Sequence, residues 1–312
     1  MVAAPDASAS VGPPRNWGVR RSVDLFRAFR GGHAEFDRFY RSDPQEFYRF
    51  QAADAVAQLA RYTDVAGRLV IDVGGGPGYF TEALVAAGAR CVLVEPEAAD
   101  PVNLASAPGA DHAPAVDGAS TPEAFRQLHD WHITPGRLAR GRTLAGDGTR
   151  MPLPDAVADI TFSSNVLEHV RDDAAFLGEM VRTTRPGGII YLSFTAWYSP
   201  WGGHETAPWH YLGGTRAARR YERRHGQVPG NLFGTSLFAR HVGATLRLAR
   251  AQPGVAVVDA LPRYYPEWTR PLVHVPLVRE IATWNLLLVL RRLPSPVEPA
   301  PTRLVGGEPR GR

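Results

Sequence analysis

A glycine-rich turn between an apolar run and a helical pattern is the feature that most constrains this chain. The segment from Val70 to Phe80 reads V-I-D-V-G-G-G-P-G-Y-F. Glycine has no Cβ, so the backbone of such a turn can approach a ligand closely at the tip of a strand. Further apolar runs alternate with helical patterns along the chain. This alternation predicts an α/β fold with a doubly wound, mostly parallel sheet and a ligand at the carboxyl edge of its strands.

The residues in and around the turn exclude two common phosphate-binding motifs. A dinucleotide fingerprint G-x-G-x-x-G/A that starts at Gly74 needs Gly or Ala at position 79, where the chain has Tyr79. A Walker loop needs a lysine, but all 35 Lys and Arg residues of the chain are arginines. The lack of lysine also excludes Schiff-base chemistry. The single cysteine, Cys91, excludes an intramolecular disulfide framework.

Acidic residues at the ends of predicted strands favour a different ligand. Asp72 lies at the tip of the first strand, where a carboxylate suits an ammonium or sulfonium group better than a pyrophosphate. Glu95 ends the next strand, a position from which an acid reaches ribose hydroxyls. Asp147, between two glycines, can accept a hydrogen bond from an exocyclic adenine amine.

Five segments, in this order, resemble the class I S-adenosylmethionine (SAM)-dependent methyltransferases of the type 11 group. They are D-V-G-G-G-P-G at 72–78, V-E-P-E at 94–97, G-D-G-T-R-M-P-L-P at 146–154, S-N-V-L-E-H-V at 164–170 and R-P-G-G at 185–188. The resemblance covers residues 68–195. It implies a Rossmann-like methyltransferase fold with a seven-stranded sheet, and SAM as the cofactor.

The resemblance also implies which residues bind the cofactor. Asp72, Gly74, Gly76 and Gly78 would flank the methionine moiety, and Glu95 would hold the ribose. Asp147 and Gly148 would border the adenine, and Ser164 and Asn165 would lie beside the reactive end of SAM.

The chain is predicted to form a single domain between two tails. Residues 1–14 and 293–312 are rich in proline and small residues, which is typical of disordered tails. No signal peptide or membrane span is predicted, so we expect a cytoplasmic protein. The predicted parts of the domain are a helical cap or lid at 15–63, a SAM-binding core at 64–195, a substrate-side insertion at 196–235 and the C-terminal half of the sheet at 236–292. Within the core, 97–145 reads as a long irregular insertion with a short helix at 122–129, and Tyr40 and Tyr48 in the cap are candidate pocket residues.

A loop after the fifth predicted strand contains the candidate acceptor-side residues. Residues 197–211 include Trp197, Trp201 and Trp209, three of the seven tryptophans. The same loop contains His204, Glu205 and His210, which are candidate general bases or substrate ligands. A loop that folds over the cofactor without chemistry is the alternative.

A second candidate base, His169, lies after the fourth predicted sheet strand. Quinone O-methyltransferases have an E-x-x-E-H motif there that can hold a divalent metal, but this chain has Asn165 in place of the first acid. The spacing of His204 and His210 matches no recognised zinc template either. We therefore expect no metal site. Packing under the cofactor is the other reading of His169.

Five arginines recur at helical spacing shortly after the loop. On a helix over 215–225 they form one basic face, which is either a solvated surface or a contact for an anionic partner. Such a partner is a phosphorylated or lipid-linked substrate or an acidic membrane surface, and no nucleic acid is expected because no recognition motif accompanies the run. These arginines are Arg216, Arg219, Arg220, Arg223 and Arg224.

The sequence thus predicts a SAM-dependent methyltransferase that methylates a hydroxyl of a small-molecule, glycan-like or lipid-linked substrate, with a His or Glu base. Three alternatives stay open at this point. They are a non-catalytic SAM-binding regulatory protein, an N- or C-methyltransferase, and a nicotinamide-dependent oxidoreductase, which Asp72 and Tyr79 disfavour.

Overall fold

The computed structural model of the chain describes residues 44–96, 142–265 and 267–294. The predictions for the N-terminal tail, for the cap up to residue 43 with Tyr40, and for the helix at 122–129 lie outside the described residues. The same holds for the C-terminal tail from residue 295 onward. The end of the predicted 97–145 insertion is described.

Within the described residues, one sheet of seven strands has the order β3-β2-β1-β4-β5-β7-β6. The five adjacent strands β3, β2, β1, β4 and β5 run parallel to one another, whereas β7 runs antiparallel to both β5 and β6. The predicted seven-stranded, mostly parallel sheet is therefore confirmed. The strands are β1 (Leu69–Val73), β2 (Arg90–Glu95), β3 (Arg142–Ala145), β4 (Ala158–Ser164), β5 (Thr184–Thr195), β6 (Val255–Pro262) and β7 (Asn285–Arg292).

Helices cover both faces of the sheet. Asp172 begins one of them, because its carboxylate accepts a hydrogen bond from the backbone N–H of Ala175 at 2.9 Å. The α-helices are α1 (Pro44–Leu59), α2 (Tyr79–Ala86), α3 (Asp173–Thr183), α4 (Gly214–His225), α5 (Val242–Ala251) and α6 (Val278–Ala282). Short 3-10 helices cover Leu167–His169, His204–Thr206, Trp209–Leu212 and Glu267–His274.

The core consists of two apolar layers separated by the sheet. Successive side chains of β1 point to opposite faces, so Val70 packs in one layer and Ile71 in the other. The Val70 layer contains Leu59 of α1 and Leu84 of α2, and the Ile71 layer contains Phe176 of α3. Both faces of the parallel strands are thus covered, and the ends of the strands provide the open edge at which a ligand can bind.

Two local predictions need correction. Residues 142–145 form the edge strand β3 and not irregular insertion, because their backbone pairs with Val92 to Glu95 of β2. The proline and glycines of the R-P-G-G segment at 185–188 predict a turn, but the segment lies within the bounds of β5. It bulges there: Ala158 pairs with Thr184 while Ile160 pairs with Ile189, and Gly187 has a positive φ of 78°.

Candidate active site

Asp72 places a buried carboxylate beside the glycine-rich turn. The residue is 1% exposed, and Thr81 Oγ1 donates a hydrogen bond to its Oδ2 at 2.7 Å. Its Oδ1 is buried and has no hydrogen-bond partner among the described residues. Burial raises the pKa of Asp72 to about 7, the Thr81 hydrogen bond opposes this rise, and the negative charge of Glu95 adds to it. This unsatisfied acid fits a ligand that carries a positive group.

The conformation of the turn requires glycine at several positions. Gly74, Gly76 and Gly78 have positive φ values of 74°, 54° and 89°. A Cβ at Gly75 would lie 2.4 Å from Asp72 Oδ2, so only glycine fits against that carboxylate. The sequence did not indicate a role for Gly75, because this residue occupies a variable position of the G-x-G-x-x-G/A motif.

Glu95 and Asp147 lie along the same edge of the sheet. The backbone N–H of Gly76 donates to Glu95 Oε2 at 3.0 Å, which links the turn to the end of β2. Gly146 N–H donates to the Glu95 carbonyl at 3.2 Å, so the segment with Asp147 follows directly beside it. Asp147 Oδ1 is fixed by the N–H and hydroxyl of Thr149, both at 2.8 Å. The structure therefore brings together the acids predicted to bind ribose and adenine.

Gly148 is packed against the core beneath this edge. A Cβ at Gly148 would lie 2.5 Å from Phe176 Cε2. Any side chain at this position would have to displace the Phe176 ring or push the Asp147 segment outward. Asp72, Glu95, Asp147 and Gly148 thus all lie near the carboxyl ends of β1, β2 and β3, beside the turn.

Ser164 ends β4, Asn165 follows it, and both are held by residues from distant segments. Arg263 donates from Nη1 to Ser164 Oγ at 2.7 Å, and Asn285 donates from Nδ2 to Asn165 Oδ1 at 2.7 Å. Asn165 adopts a left-handed conformation with φ 58°. Arg263 is 0% exposed. No sequence signal pointed to this arginine, since it follows an ordinary strand and lies in no motif.

Three side chains on the acceptor side converge on one place. Glu168, His169 and His204 offer ligand atoms that all lie within 4.8 Å of one another. The rings of His169 and His204 meet edge to face with centroids 5.0 Å apart. We call these three residues the Glu-His-His cluster. It joins the segment after β4 to the loop after β5, as expected for elements that meet at one sheet edge.

Each member of the Glu-His-His cluster is held in a defined way. Glu168 is 2% exposed, and its Oε1 accepts from the backbone N–H of Thr195 at 3.1 Å, while Oε2 has no partner among the described residues. His169 Nδ1 lies 2.7 Å from the carbonyl of Ser236. His204 has φ 48°, and its buried Nδ1 has no hydrogen-bond partner among the described residues. Burial lowers the pKa of His204, and the nearby charge of Glu168 opposes this.

The other two predicted bases lie outside this cluster. His210 is 0% exposed, its Nε2 lies 3.2 Å from the Ser199 carbonyl, and its ring packs edge to face on Trp197. These contacts are those of a core histidine. Glu205 is exposed and accepts a hydrogen bond from Asn231 Nδ2 at 2.8 Å.

The three tryptophans of the loop do not form one stacking surface. Trp197 is buried in the core, and Trp201 packs edge to face on Trp284 with ring centroids 5.0 Å apart. Trp209 is 44% exposed and lies under the Arg220 guanidinium, 3.8 Å from the ring centroid. Only Trp209 is thus available at the surface.

The described helices include none long and apolar enough to cross a membrane.

Comparisons with known proteins identify the family of the chain. The family described as "Methyltransferase domain", type 11, matches residues 71–192, from the glycine-rich turn through β5. A methyltransferase of Mycolicibacterium gilvum is 42% identical over 279 residues, which cover 88% of this chain and 94% of the relative. One of Mycobacterium marinum is 42% identical over 278 residues, with 87% and 94% covered. Both relatives are named as uncharacterized methyltransferases.

Among solved structures, a SAM-dependent methyltransferase of Mesorhizobium loti matches with a TM-score of 0.45 and 20% identity. The match covers 77% of this chain and 98% of that one. The order of the sheet and the acids around the glycine-rich turn define a Rossmann-like nucleotide-binding methyltransferase. The chain belongs to the type 11 family of SAM-dependent methyltransferases, and SAM is its cofactor. The predicted fold, cofactor and enzyme class are confirmed, whereas the roles of individual site residues stay predictions.

Proposed function

We propose that this methyltransferase acts on a hydroxyl oxygen and that the Glu-His-His cluster activates the acceptor. The convergence of Glu168, His169 and His204 at the end of β4 is the observation that supports the proposal. SAM supplies an electrophilic methyl group, whose carbon bonds to the acceptor oxygen as the carbon–sulfur bond breaks and leaves its electron pair on sulfur. The acceptor proton must leave as well, and the cluster offers groups that accept or displace it.

The chemistry of the cluster favours a hydroxyl over other acceptors. A carboxylate or a neutral amine needs no proton removed before it attacks, so a buried basic cluster would have little use there. Burial lowers the pKa of His204, which keeps the imidazole neutral and its lone pair available near neutral pH. Ser164 and Asn165, predicted to lie beside the reactive end of SAM, precede Glu168 by only a few residues. The acceptor hydroxyl would thus lie between the cluster and the cofactor.

The experiment is a screen for transfer of a labelled methyl group from SAM into extracted small molecules, glycans and lipids. Product analysis then identifies the methylated atom. We expect His204→Ala to lower turnover about 100-fold or more, as loss of an acid–base group does, with SAM affinity unchanged. His225→Ala, at the exposed end of α4, is the matched control and should keep wild-type turnover. An N- or C-methylated product, or full activity of His204→Ala, would refute the proposal.

We also propose that α4 docks the enzyme on an anionic lipid surface that carries or adjoins the acceptor. Four of its arginines are exposed, namely Arg216, Arg219, Arg223 and Arg224. Trp209, Tyr211 and Leu212, just before the helix, are 44%, 45% and 63% exposed. Arginines beside exposed aromatic and aliphatic side chains are typical of contacts with a membrane interface. An open pocket of about 400 Å³ at the first turn of α4 is lined by Trp197, Leu212 and Phe233 together with Arg216.

Vesicle sedimentation tests this docking. The protein should bind vesicles with 30% phosphatidylglycerol, because each arginine near such a surface contributes roughly 1 kcal/mol, and it should be released by salt. Replacement of the four exposed arginines by glutamine should abolish binding without changing thermal stability, because their side chains point to solvent. Equal binding to neutral vesicles, or unchanged binding of the four-fold variant, would contradict it.

A further inference from the structure

We propose that the Glu-His-His cluster is a binding site for one divalent cation of the zinc class. Glu168, His169 and His204 would supply three ligands and leave a fourth position open. The metal site stands on the cluster alone. The further statement that the open position takes the acceptor hydroxyl rests on the proposed function.

The positions of the ligand atoms suit a shared ion. Two atoms bound to one tetrahedral zinc at roughly 2.0–2.2 Å lie roughly 3.3 Å apart. In the structure the three candidate atoms lie within 4.8 Å of one another. Small rotations of the side chains therefore suffice to close the site, because the backbone has already brought the three residues together.

Two of the three residues show the outer contacts that orient metal ligands. The Ser236 carbonyl can only accept a hydrogen bond, so His169 Nδ1, 2.7 Å away, must carry the proton. This leaves the lone pair on Nε2 for an ion, and a backbone carbonyl on the other ring nitrogen is the usual arrangement for a ligating histidine. Thr195 N–H holds Glu168 Oε1 at 3.1 Å, which leaves Oε2 as the ligand.

Two buried atoms of the cluster lack any partner in the described part of the chain. They are Glu168 Oε2 and His204 Nδ1. Buried polar atoms are nearly always satisfied, so two such atoms in one cluster call for a ligand. Both atoms can donate an electron pair to a cation. One cation placed between them would satisfy both.

The ligand types indicate which cation fits. Two imidazoles and one carboxylate match the three-ligand set of catalytic zinc sites, which keep one position open. Magnesium and calcium prefer oxygen ligands and are disfavoured. A zinc-class ion lowers the pKa of a bound hydroxyl, so that the acceptor oxygen loses its proton at neutral pH. The sequence suggested no metal because Asn165 replaces the first acid of the known motif, while His204 comes from a different loop.

Metal binding can be measured without SAM or acceptor. The chain is treated with EDTA, desalted and titrated with ZnCl₂ against a chromophoric chelator, and Co²⁺ is titrated in parallel to give a visible spectrum. We expect one equivalent of Zn²⁺ to bind to the wild type. Glu168→Gln and His204→Ala should weaken this binding at least 100-fold and lose the Co²⁺ spectrum, while His225→Ala should match the wild type. Circular dichroism and the SAM-induced thermal shift show that each variant is folded.

The outcomes separate this inference from the proposed function. No bound equivalent, or the same Zn²⁺ affinity in Glu168→Gln, His204→Ala and wild type, overturns the metal site. EDTA-treated enzyme that methylates hydroxyls as fast as Zn²⁺-loaded enzyme overturns the catalytic use of the metal and leaves O-methylation intact. A Zn²⁺-loaded enzyme that methylates only nitrogen or carbon refutes the proposed function and leaves the metal site intact.

Discussion

At the scale of single residues, the buried carboxyl of Asp72 makes the stability of the protein depend on pH. Its pKa rises from 3.8 to about 7 because the carboxyl is buried. The folded chain therefore binds more protons than the unfolded chain between these values, and the stability of the cofactor-free protein falls as the pH rises through this window. Above pH 7 the buried negative charge lowers the free energy of unfolding by its full amount, and below pH 4 it does not lower it.

Asp72→Asn should therefore stabilise the cofactor-free protein at pH 8 and have little effect near pH 4. The shift in pKa corresponds to a difference in the free energy of unfolding on the order of 4 kcal/mol, at ~1.4 kcal/mol for each pKa unit. Urea unfolding of both proteins at the two pH values measures the difference. SAM binding should be lost in the variant, since the amide cannot offset a positive charge. A wild-type protein whose stability relative to Asp72→Asn rises from pH 4 to pH 8 would contradict the assignment.

Gly75 offers a second test of the same contact. Its missing Cβ leaves space for Asp72 Oδ2, which would otherwise lie 2.4 Å away, and Leu93 Cδ1 would lie 2.7 Å away. Gly75→Ala should displace the carboxylate and weaken SAM binding at least 10-fold in isothermal titration. Gly178→Ala in the middle of α3 is the matched control, because its Cβ would meet no atom within 4 Å. That control should bind SAM normally and gain about 0.5–1 kcal/mol of stability.

At the scale of elements, Arg263 ties α1 to the ends of β4 and β5. Its guanidinium donates to Ser164 Oγ and Ser193 Oγ at 2.7 and 2.9 Å, and to the carbonyl of Gln51 in α1 at 3.1 Å. Its Nε lies 3.7 Å from Asp54 Oδ2, also in α1. This buried side chain thus fixes the position of α1 over the residues predicted to lie beside the reactive end of SAM.

Arg263→Ala should destabilise the protein by roughly 3–5 kcal/mol, because it removes the buried cation beside Asp54 and the donor to three oxygen acceptors. Hydrogen exchange should accelerate most in α1 and less in β2, on the far side of β1. Arg216→Ala on the exposed face of α4 should change neither quantity. Equal acceleration throughout the sheet would mean that Arg263 supports the whole fold and not the α1 contact.

Features that depend on neighbouring residues could be predicted from the sequence, whereas features that depend on contacts between distant segments could not. The helix α4 begins within one residue of the helix predicted over 215–225, because the spacing of its arginines is a local signal. The edge strand β3 was missed, since four residues form a strand only through pairing with β2. The bulge at Gly187 was missed for the same reason.

The candidate site shows the same limit. Asp72, Glu95 and Asp147 follow strands that end at one edge, so topology alone places them together. Arg263 and the meeting of His204 with Glu168 depend on how the loop after β5 and the end of β6 fold back over β4. No spacing of residues in the sequence predicts that His204 and Glu168 meet. The lack of a metal-binding motif around Asn165 favoured the opposite expectation.

At the scale of the whole molecule, most of the predicted cofactor residues and the candidate acceptor residues belong to different strands of the sheet. The predicted cofactor residues other than Ser164 and Asn165 follow β1, β2 and β3, on one side of the sheet order. The candidate acceptor residues follow β4 and β5, and β7 and β6 support them on the other side. A substitution in one half should therefore affect one function and spare the other.

The thermal shift caused by SAM tests this division. SAM at 100 times its Kd should stabilise the wild type by about 2.7 kcal/mol, which raises the Tm by roughly 5–10 °C for a domain of this size. Asp72→Ala should abolish the shift. Glu205→Ala should keep the wild-type shift and lower turnover, because this exposed residue lies beside His204 and holds Asn231 at 2.8 Å. Equal loss of the shift in both variants would show that the two halves do not act separately. A full shift in Asp72→Ala would show that the buried acid is not a cofactor residue.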